Sequence, residues 1–419
     1  MKVFEKAKWI WLHKKETKDE YVDFFGAFTA KKNFAVCRIS CDGDYTLFIN
    51  GKFVESNQYG DFEHYKIYDE IEIAEYLQEG ENEIYILVWH FGEDTQRYIN
   101  AQAGVIFELE QDGKIILASN EKVLCRKNQA YKNGYCKKIT GQLGYSFLYD
   151  ARKENWGGFT LSTVVEKDCA FYQRPTRKLE LLPEKEIKIL KSEGNYYLID
   201  LGEEMVGLPV LEFVSETEQK LLVAWGEDLQ NGHVRRLIDG RDFSFEYIAK
   251  RGENKYTNHM LRLGCRYLEL YAEKPIELKY LGLIPQFYPV QKKSFQAENK
   301  LDQQIYDICV KTLKLSMMEH YVDTPWREQC LYAFDSRNQM LCGYYAFEKG
   351  NAEYARANLL LMSKDRRNDG LLAICYPCGM DLTIPSFSLY YFMAVKEYIE
   401  YTGDVSLGEE IYEKLIDIP

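Results

Sequence analysis

The chain has 419 residues, 46% of them hydrophobic and 28% charged, with a net charge of −12. That length is too great for one compact core and predicts two to four domains. The acidic balance argues against a nucleic-acid partner, which needs a basic surface, and no run of about twenty apolar residues is present to span a membrane.

The N-terminus, "MKVFEKAKWIWLHKKE", has no uninterrupted apolar stretch and no small-residue cleavage site of the secretory kind. Trp9 and Trp11 take alternate positions of a first strand with one face in a core. The 11 cysteines are odd in number and irregularly spaced, which predicts reduced thiols in a cytoplasmic protein. Cys37/Cys41 and Cys375/Cys378 each lack the further ligands of a zinc site. His64, His90, His233 and His259 form no ligand pattern. With no glycine-rich phosphate loop, nucleophile elbow or calcium-binding loop, neither a metal nor a cofactor is expected.

The first 290 or so residues read as β-structure. "DYTLFINGKFVE" (44–55) is a hairpin with Asn50-Gly51 as a type I′ turn. "NEIYILVWHF" (82–91) is a strand, and "AGVIFELEQDGKIILASN" (103–120) is a hairpin turning at Asp112-Gly113. Short strands with regular turn signals predict a jelly-roll-like β-sandwich over 1–164, with the Gly-rich stretch 149–159 closing it. A second sandwich is expected over 165–290, from "YYLIDLG", "LPVLEFV", "QKLLVAWGE", "CRYLELYAE" and "IELKYLGLI". Pro285 and Pro289 then punctuate a connector.

From 291 the period turns helical. Apolar residues at 301, 305, 308, 309, 313 and 317 mark one helix. Others are predicted over 332–348, 351–366 and 386–401, with "YTGD" as a glycine stop, and from 406 onward. This region, 291–419, is an all-α array.

The stretch "YVDTPWREQCLYAFDSRNQ" (321–339) interleaves Asp323, Glu328 and Asp335 with Arg327, Arg337 and four aromatics. Pro325 disfavours a helical Thr324, so "DTPWREQ" reads as a loop feeding a helix near Tyr332. Glu328 and Asp335, seven apart, share a helix face if that helix begins early. A carboxyl packed against aromatics has its pKa raised and can act as a general acid, while one beside an arginine stays ionised and holds hydroxyls. That pair of environments suits glycoside hydrolysis. A structural ion-pair network at a domain junction has the same composition.

This stretch resembles the signature of the inverting α-L-rhamnosidases (family 78 type), commonly "D-C-P-x-R-D-E-R-x-x-W-T-G-D-A-Q". Asp323, Pro325, Arg327, Glu328, Asp335 and Gln339 match its marked positions in the shorter D-T-P-W-R-E-Q form. "GDYTLFINGKFV", "YLIDLGEEMVGLPVLEF", "LRLGCRYLEL" and "IPSFSLYYFMAVKEYIEYTGD" are similar to other segments of the family, in the same order. The resemblance implies two β-sandwich domains followed by an (α/α)6 barrel. It implies Glu328 as general acid, with Asp323, Arg327, Asp335, Trp326 and Tyr332 holding the sugar of a rhamnose-containing glycoside or oligosaccharide. Longer signatures place the acid where this chain has Gln329, which cannot give up a proton. Ser386 stands where other members carry Asp.

An inverting glycosidase needs a general base across the sugar, which the family carries far downstream. About 120 residues from 298 onward allow four or five helices at ordinary lengths, not twelve. An N-terminal portion with an incomplete barrel, little activity and exposed apolar faces prone to homo-oligomer formation is therefore expected. A related glycosidase for another sugar and a non-catalytic sugar-binding β-sandwich protein are the alternatives. His320 is expected to pack rather than bind.

Overall fold

The structure, a computed structural model, describes residues 2–57, 59–154, 157–365 and 367–418. Strand alternation builds the first domain. Val22 and Phe24 of strand Glu20–Ala30 point into a core shared with Trp11, Tyr45, Ile86 and Phe107, because successive strand residues face opposite sides. Sheets of seven and six strands enclose that core. Both expected hairpins form. Ile49 pairs with Lys52 and Gln111 with Lys114, and Asn50, Gly51, Asp112 and Gly113 all adopt the positive φ that a type I′ turn requires. Trp9 and Trp11 are both buried.

The second β domain is one curled, nine-stranded sheet. Its central strand, Tyr196–Ser215, spans both segments expected as separate strands. The two β domains exchange short strands. Leu148–Asp150 pairs in parallel with 246–248 of the second sheet, whereas Ala170–Gln173, beyond the expected boundary at 164, pairs with 65–68 of the first sandwich. Within 149–159, Asn155 and Trp156 lie outside the described residues. Tyr21 and Trp89, on the outward face of the first sandwich, stack at 5.0 Å and join the core of the second sheet. Pro285 does not open a connector. It lies within strand Glu277–Phe287 opposite Gly207, where its carbonyl accepts the Leu182 N–H at 2.9 Å.

Among the described residues six helices follow: α1 (Lys300–Leu315), α2 (Ala333–Ala346), α3 (Asn351–Ser363), α4 (Pro385–Thr402), α5 (Ser406–Glu410) and α6 (Tyr412–Asp417). Asn299 caps α1 by accepting the Asp302 N–H. Pro385 opens α4, and Gly403, in the left-handed conformation, closes it through a bond to the Ile399 carbonyl. The helices pack on one another and on Tyr59, Phe62 and Tyr65 of the first sandwich, and they form an open array rather than a closed barrel. Only the C-terminal half of α1 is covered. Val310, Leu313 and Leu315 are buried, while Leu301, Ile305 and Ile308 are 64%, 52% and 64% exposed. On α4, Leu389 and Met393 are also exposed. No described helix is long and apolar enough to cross a membrane.

The three parts meet at Arg262. Its guanidinium grips Glu319 with two bonds of 2.6 and 2.7 Å, and its Nε donates to Gln286 Oε1 at 2.8 Å. Arg174, following strand 170–173 of the first sandwich, reaches Glu319 at 3.9 Å. Burial alone raises the Glu319 carboxyl, but Arg262 and Arg174 hold it down at about 2. Removing one partner of a buried ion pair strands the other charge, at a cost of about 3–5 kcal/mol. Arg262→Met is accordingly expected to lower the urea-unfolding free energy by about that amount, and an unchanged midpoint would contradict this role.

Candidate active site

The loop between α1 and α2 is pressed against the second sheet. A Cβ on Gly264 would sit 2.1 Å from the Pro325 carbonyl oxygen, so only glycine admits the loop there. Trp326, expected to contact sugar, is 3% exposed, and its ring packs at 4.9 Å from Phe243 in the core of that sheet. The indole is an anchor for the loop, with little surface left to meet a ligand.

The loop closes on itself through Asp323. Its N–H donates to the Cys330 carbonyl at 3.1 Å, and its Oδ1 accepts the Cys330 N–H at 3.0 Å. Leu331 and Tyr332 then pair with Tyr376 and Cys375 in a two-stranded ribbon, and α2 begins at Ala333. Glu328 therefore stands in the loop, not on the helix, and it meets Asp335 across the start of α2 rather than along one face. Gln339 Nε2 donates to the Val322 carbonyl at 2.7 Å and ties α2 back to the loop.

Gln329, at the position where longer signatures carry an acid, has a structural task. It adopts φ +52°, a left-handed conformation uncommon for a side-chain-bearing residue. Its buried amide holds it there. Nε2 donates to the carbonyls of Pro325 and Arg262 at 2.8 and 3.2 Å, and Oε1 accepts from Arg97 Nη1 at 3.1 Å.

Asp323, Glu328 and Asp335 come together as half-buried carboxyls that feel one another's charge. Burial, then Glu328 and Asp335, push the Asp323 carboxyl up to about 7, against the bonds from Cys330 and Thr324. Asp335, in the first turn of α2, is raised by burial and by Glu328. Glu328 Oε2 accepts the Tyr332 hydroxyl at 2.7 Å, and Tyr332 Oη also lies 3.1 Å from Gln96 Oε1. Phe387 and Tyr390 of α4 flank Tyr332 and Phe334. Arg327 is exposed and makes no ion pair with a described residue. Its charge offsets part of the burial that raises the Glu227 carboxyl. Arg337 pairs with Glu397 at 2.9 Å. His320 packs as expected, with Nε2 at 2.9 Å from the Gly60 carbonyl and its ring on Tyr59, and burial lowers it to about 4. Sequence reading missed Gln96, Arg97 and Arg262, which lie far along the chain from the loop they support. A cavity of about 60 Å³ has Gln329, Leu331 and Arg97 in its wall but none of the three carboxyls.

Residues 290–417, which hold this cluster, match the bacterial α-L-rhamnosidase six-hairpin glycosidase domain, and residues 190–280 match the bacterial α-L-rhamnosidase concanavalin-like domain. These segments are homologous to α-L-rhamnosidase domains. Among solved structures, a GH78-family rhamnosidase of Bacillus sp. GL1 matches 100% of this chain and 69% of its own, with a TM-score of 0.91 and 17% identity. The α-L-rhamnosidase of Dictyoglumus thermophilum follows at a TM-score of 0.81 and 18% identity, over 99% of this chain and 51% of that one. The Streptomyces avermitilis α-L-rhamnosidase, solved with L-rhamnose, has a TM-score of 0.77 and 15% identity, over 96% of this chain and 42% of that one. Likeness at such identity is one of fold. The chain spans about half the length of the second and third of these. No curated protein matches the chain.

The Asp323 carboxyl carries a stability consequence. The unfolded chain releases its proton near the ordinary aspartate value of 3.8 and the folded chain near 7, so folding binds a proton between them and stability falls as pH rises across that window. Three units set an upper bound of about 4 kcal/mol, less what solvent screens at a half-buried group. Asp323→Asn, which keeps an oxygen for the Cys330 N–H, should therefore stabilise the protein more at pH 8 than at pH 4 in thermal unfolding. An equal effect at both values would contradict the raised pKa.

Proposed function

We propose that the 321–339 segment is the proton-donating half of an inverting glycosidase site for terminal α-L-rhamnose. The observation that carries this reading is the cluster itself. Three coupled carboxyls, one raised to about 7, stand beside an exposed arginine within the segment homologous to a glycosidase domain. A purely structural network would neutralise such carboxyls with cations, as Glu319 is neutralised by Arg262. Here the charged groups that act on Asp323 and Asp335 are other carboxylates.

In this reading Glu328 protonates the departing glycosidic oxygen, held in place by the Tyr332 hydroxyl. Asp335 and Arg327 hold sugar hydroxyls, and Asp323 keeps a proton within the cluster near neutral pH. The Glu328 and Asp335 charges both disfavour ionisation of Asp323, which adds to the effect of its burial. Inversion also needs a base about 6.5–9.5 Å from the acid, on the other face of the sugar. Asp323, Glu328 and Asp335 all come from one loop and the first turn of one helix, so they serve one face. No opposing carboxyl is assigned among the described residues of α1–α6 in this reading.

The 419-residue chain is therefore expected to bind L-rhamnose while turning over an aryl α-L-rhamnoside little or not at all. Asp335→Ala should weaken rhamnose binding about 10- to 100-fold, the worth of a charged hydrogen bond, whereas Glu328→Gln should leave binding largely intact. Calorimetry with L-rhamnose and related sugars checks both. Binding indifferent to Asp335, or rapid turnover that survives Glu328→Gln, would overturn the reading.

A further inference from the structure

The loop joining strands Gly80–His90 and Val105–Gln111 of the first sandwich reaches across to the carboxyl cluster. At its tip, Gln96 Oε1 lies 3.1 Å from Tyr332 Oη, which also lies 2.7 Å from Glu328 Oε2, so two acceptors face one phenol proton. A phenol has one proton to give. Burial, the neighbouring Cys330 and the bond to Glu328 keep that proton on Tyr332 well above the ordinary range. The shorter contact, to a carboxyl oxygen, takes it. Gln96 Oε1 is then left without a proton to accept, and exchanging the two ends of the amide lets Nε2–H donate to the phenol oxygen instead. The two ends of a glutamine amide are exchanged by a simple flip, and the bonding partners decide which faces where.

The loop is not held by this contact alone. The Gln96 carbonyl accepts from Cys375 Sγ at 2.9 Å, and the Thr95 carbonyl accepts the Gly379 N–H at 2.9 Å. Arg97 donates to Gln329 at 3.1 Å. One segment of the first sandwich thus bonds both the loop that carries Glu328 and the ribbon partner of Tyr332.

We infer that Gln96 is a positioning residue for the proton donor: its amide N–H bonds Tyr332, and Tyr332 in turn fixes the orientation of the Glu328 carboxyl. The first sandwich is then a working part of the acid site rather than a detachable module. This inference rests on the reading of Glu328 as proton donor, but its test needs no sugar and no turnover.

The test uses the full chain labelled with 13C at the glutamate side-chain carboxyls, with the Glu328 signal assigned by its loss in Glu328→Gln. At pH 7, Gln96→Met, which fills the same space without a donor, should displace the Glu328 resonance by more than its line width. In the Tyr332→Phe background the same substitution should leave it in place, because the relay is already cut. A Glu328 signal that ignores Gln96→Met, or one that moves equally in both backgrounds, would overturn the relay. Should Gln96→Met fail to fold, the unsubstituted chain still decides the matter. A nuclear Overhauser contact between the Gln96 side-chain NH2 and the Tyr332 ring is expected, and its absence would overturn the relay. Failure of rhamnose binding, by contrast, would count against the functional reading and leave these resonances unaffected.

Discussion

The buried grip of Arg262 on Glu319 is the constraint on which the site depends. Arg262 immediately precedes strand Leu263–Ala272, Gln286 lies on the strand Glu277–Phe287, and Glu319 lies just after α1. The Arg262 carbonyl also accepts from the strained Gln329. A single residue therefore sets the distance between the curled sheet, the end of α1 and the loop that carries Glu328. A guanidinium does this better than an ammonium because its planar fork fixes direction as well as charge. Ion pairs so deeply buried add little net stability over an apolar pair of the same shape. What this pair contributes is register, and it acts together with Gly264, which lets the loop backbone touch the sheet, and Trp326, which plugs it there.

That rigid backing explains the electrostatics in front of it. Carboxyls on a loose loop would separate and ionise independently. Asp323 is held by two backbone bonds to Cys330, Asp335 by the first turn of α2, and Glu328 by Tyr332. Held near Glu328 and partly shielded from water, Asp323 and Asp335 are harder to ionise than free aspartates.

Much of the scaffold was legible in the sequence because local rules govern it. Asn50-Gly51 and Asp112-Gly113 specify hairpins by their tolerance of positive φ, and Pro385 and Gly403 delimit α4. The loop-to-helix change near Tyr332 followed from Pro325. Partnership was not legible. Nothing local shows that Tyr196–Ser215 lies at the centre of a nine-stranded sheet, or that residue 285 tolerates proline because its carbonyl alone is used. α1 carries apolar residues along its whole length, so its period could not say that only the C-terminal half is covered. Trp326 sits among charges in a loop without periodicity, and only its fit against Phe243 tells that it is buried. Gln96 is 236 residues from Tyr332, and no sequence signal links them.

The account stands on the cluster retaining a proton near neutral pH, and carbon-13 titration of the aspartate side-chain carboxyls measures this directly. With the Asp323 signal assigned by its loss in Asp323→Asn, a midpoint close to 7 is predicted, falling when Glu328→Gln removes the neighbouring charge. A midpoint in the ordinary aspartate range near 4, indifferent to Glu328, would show three independent surface carboxyls and contradict the account.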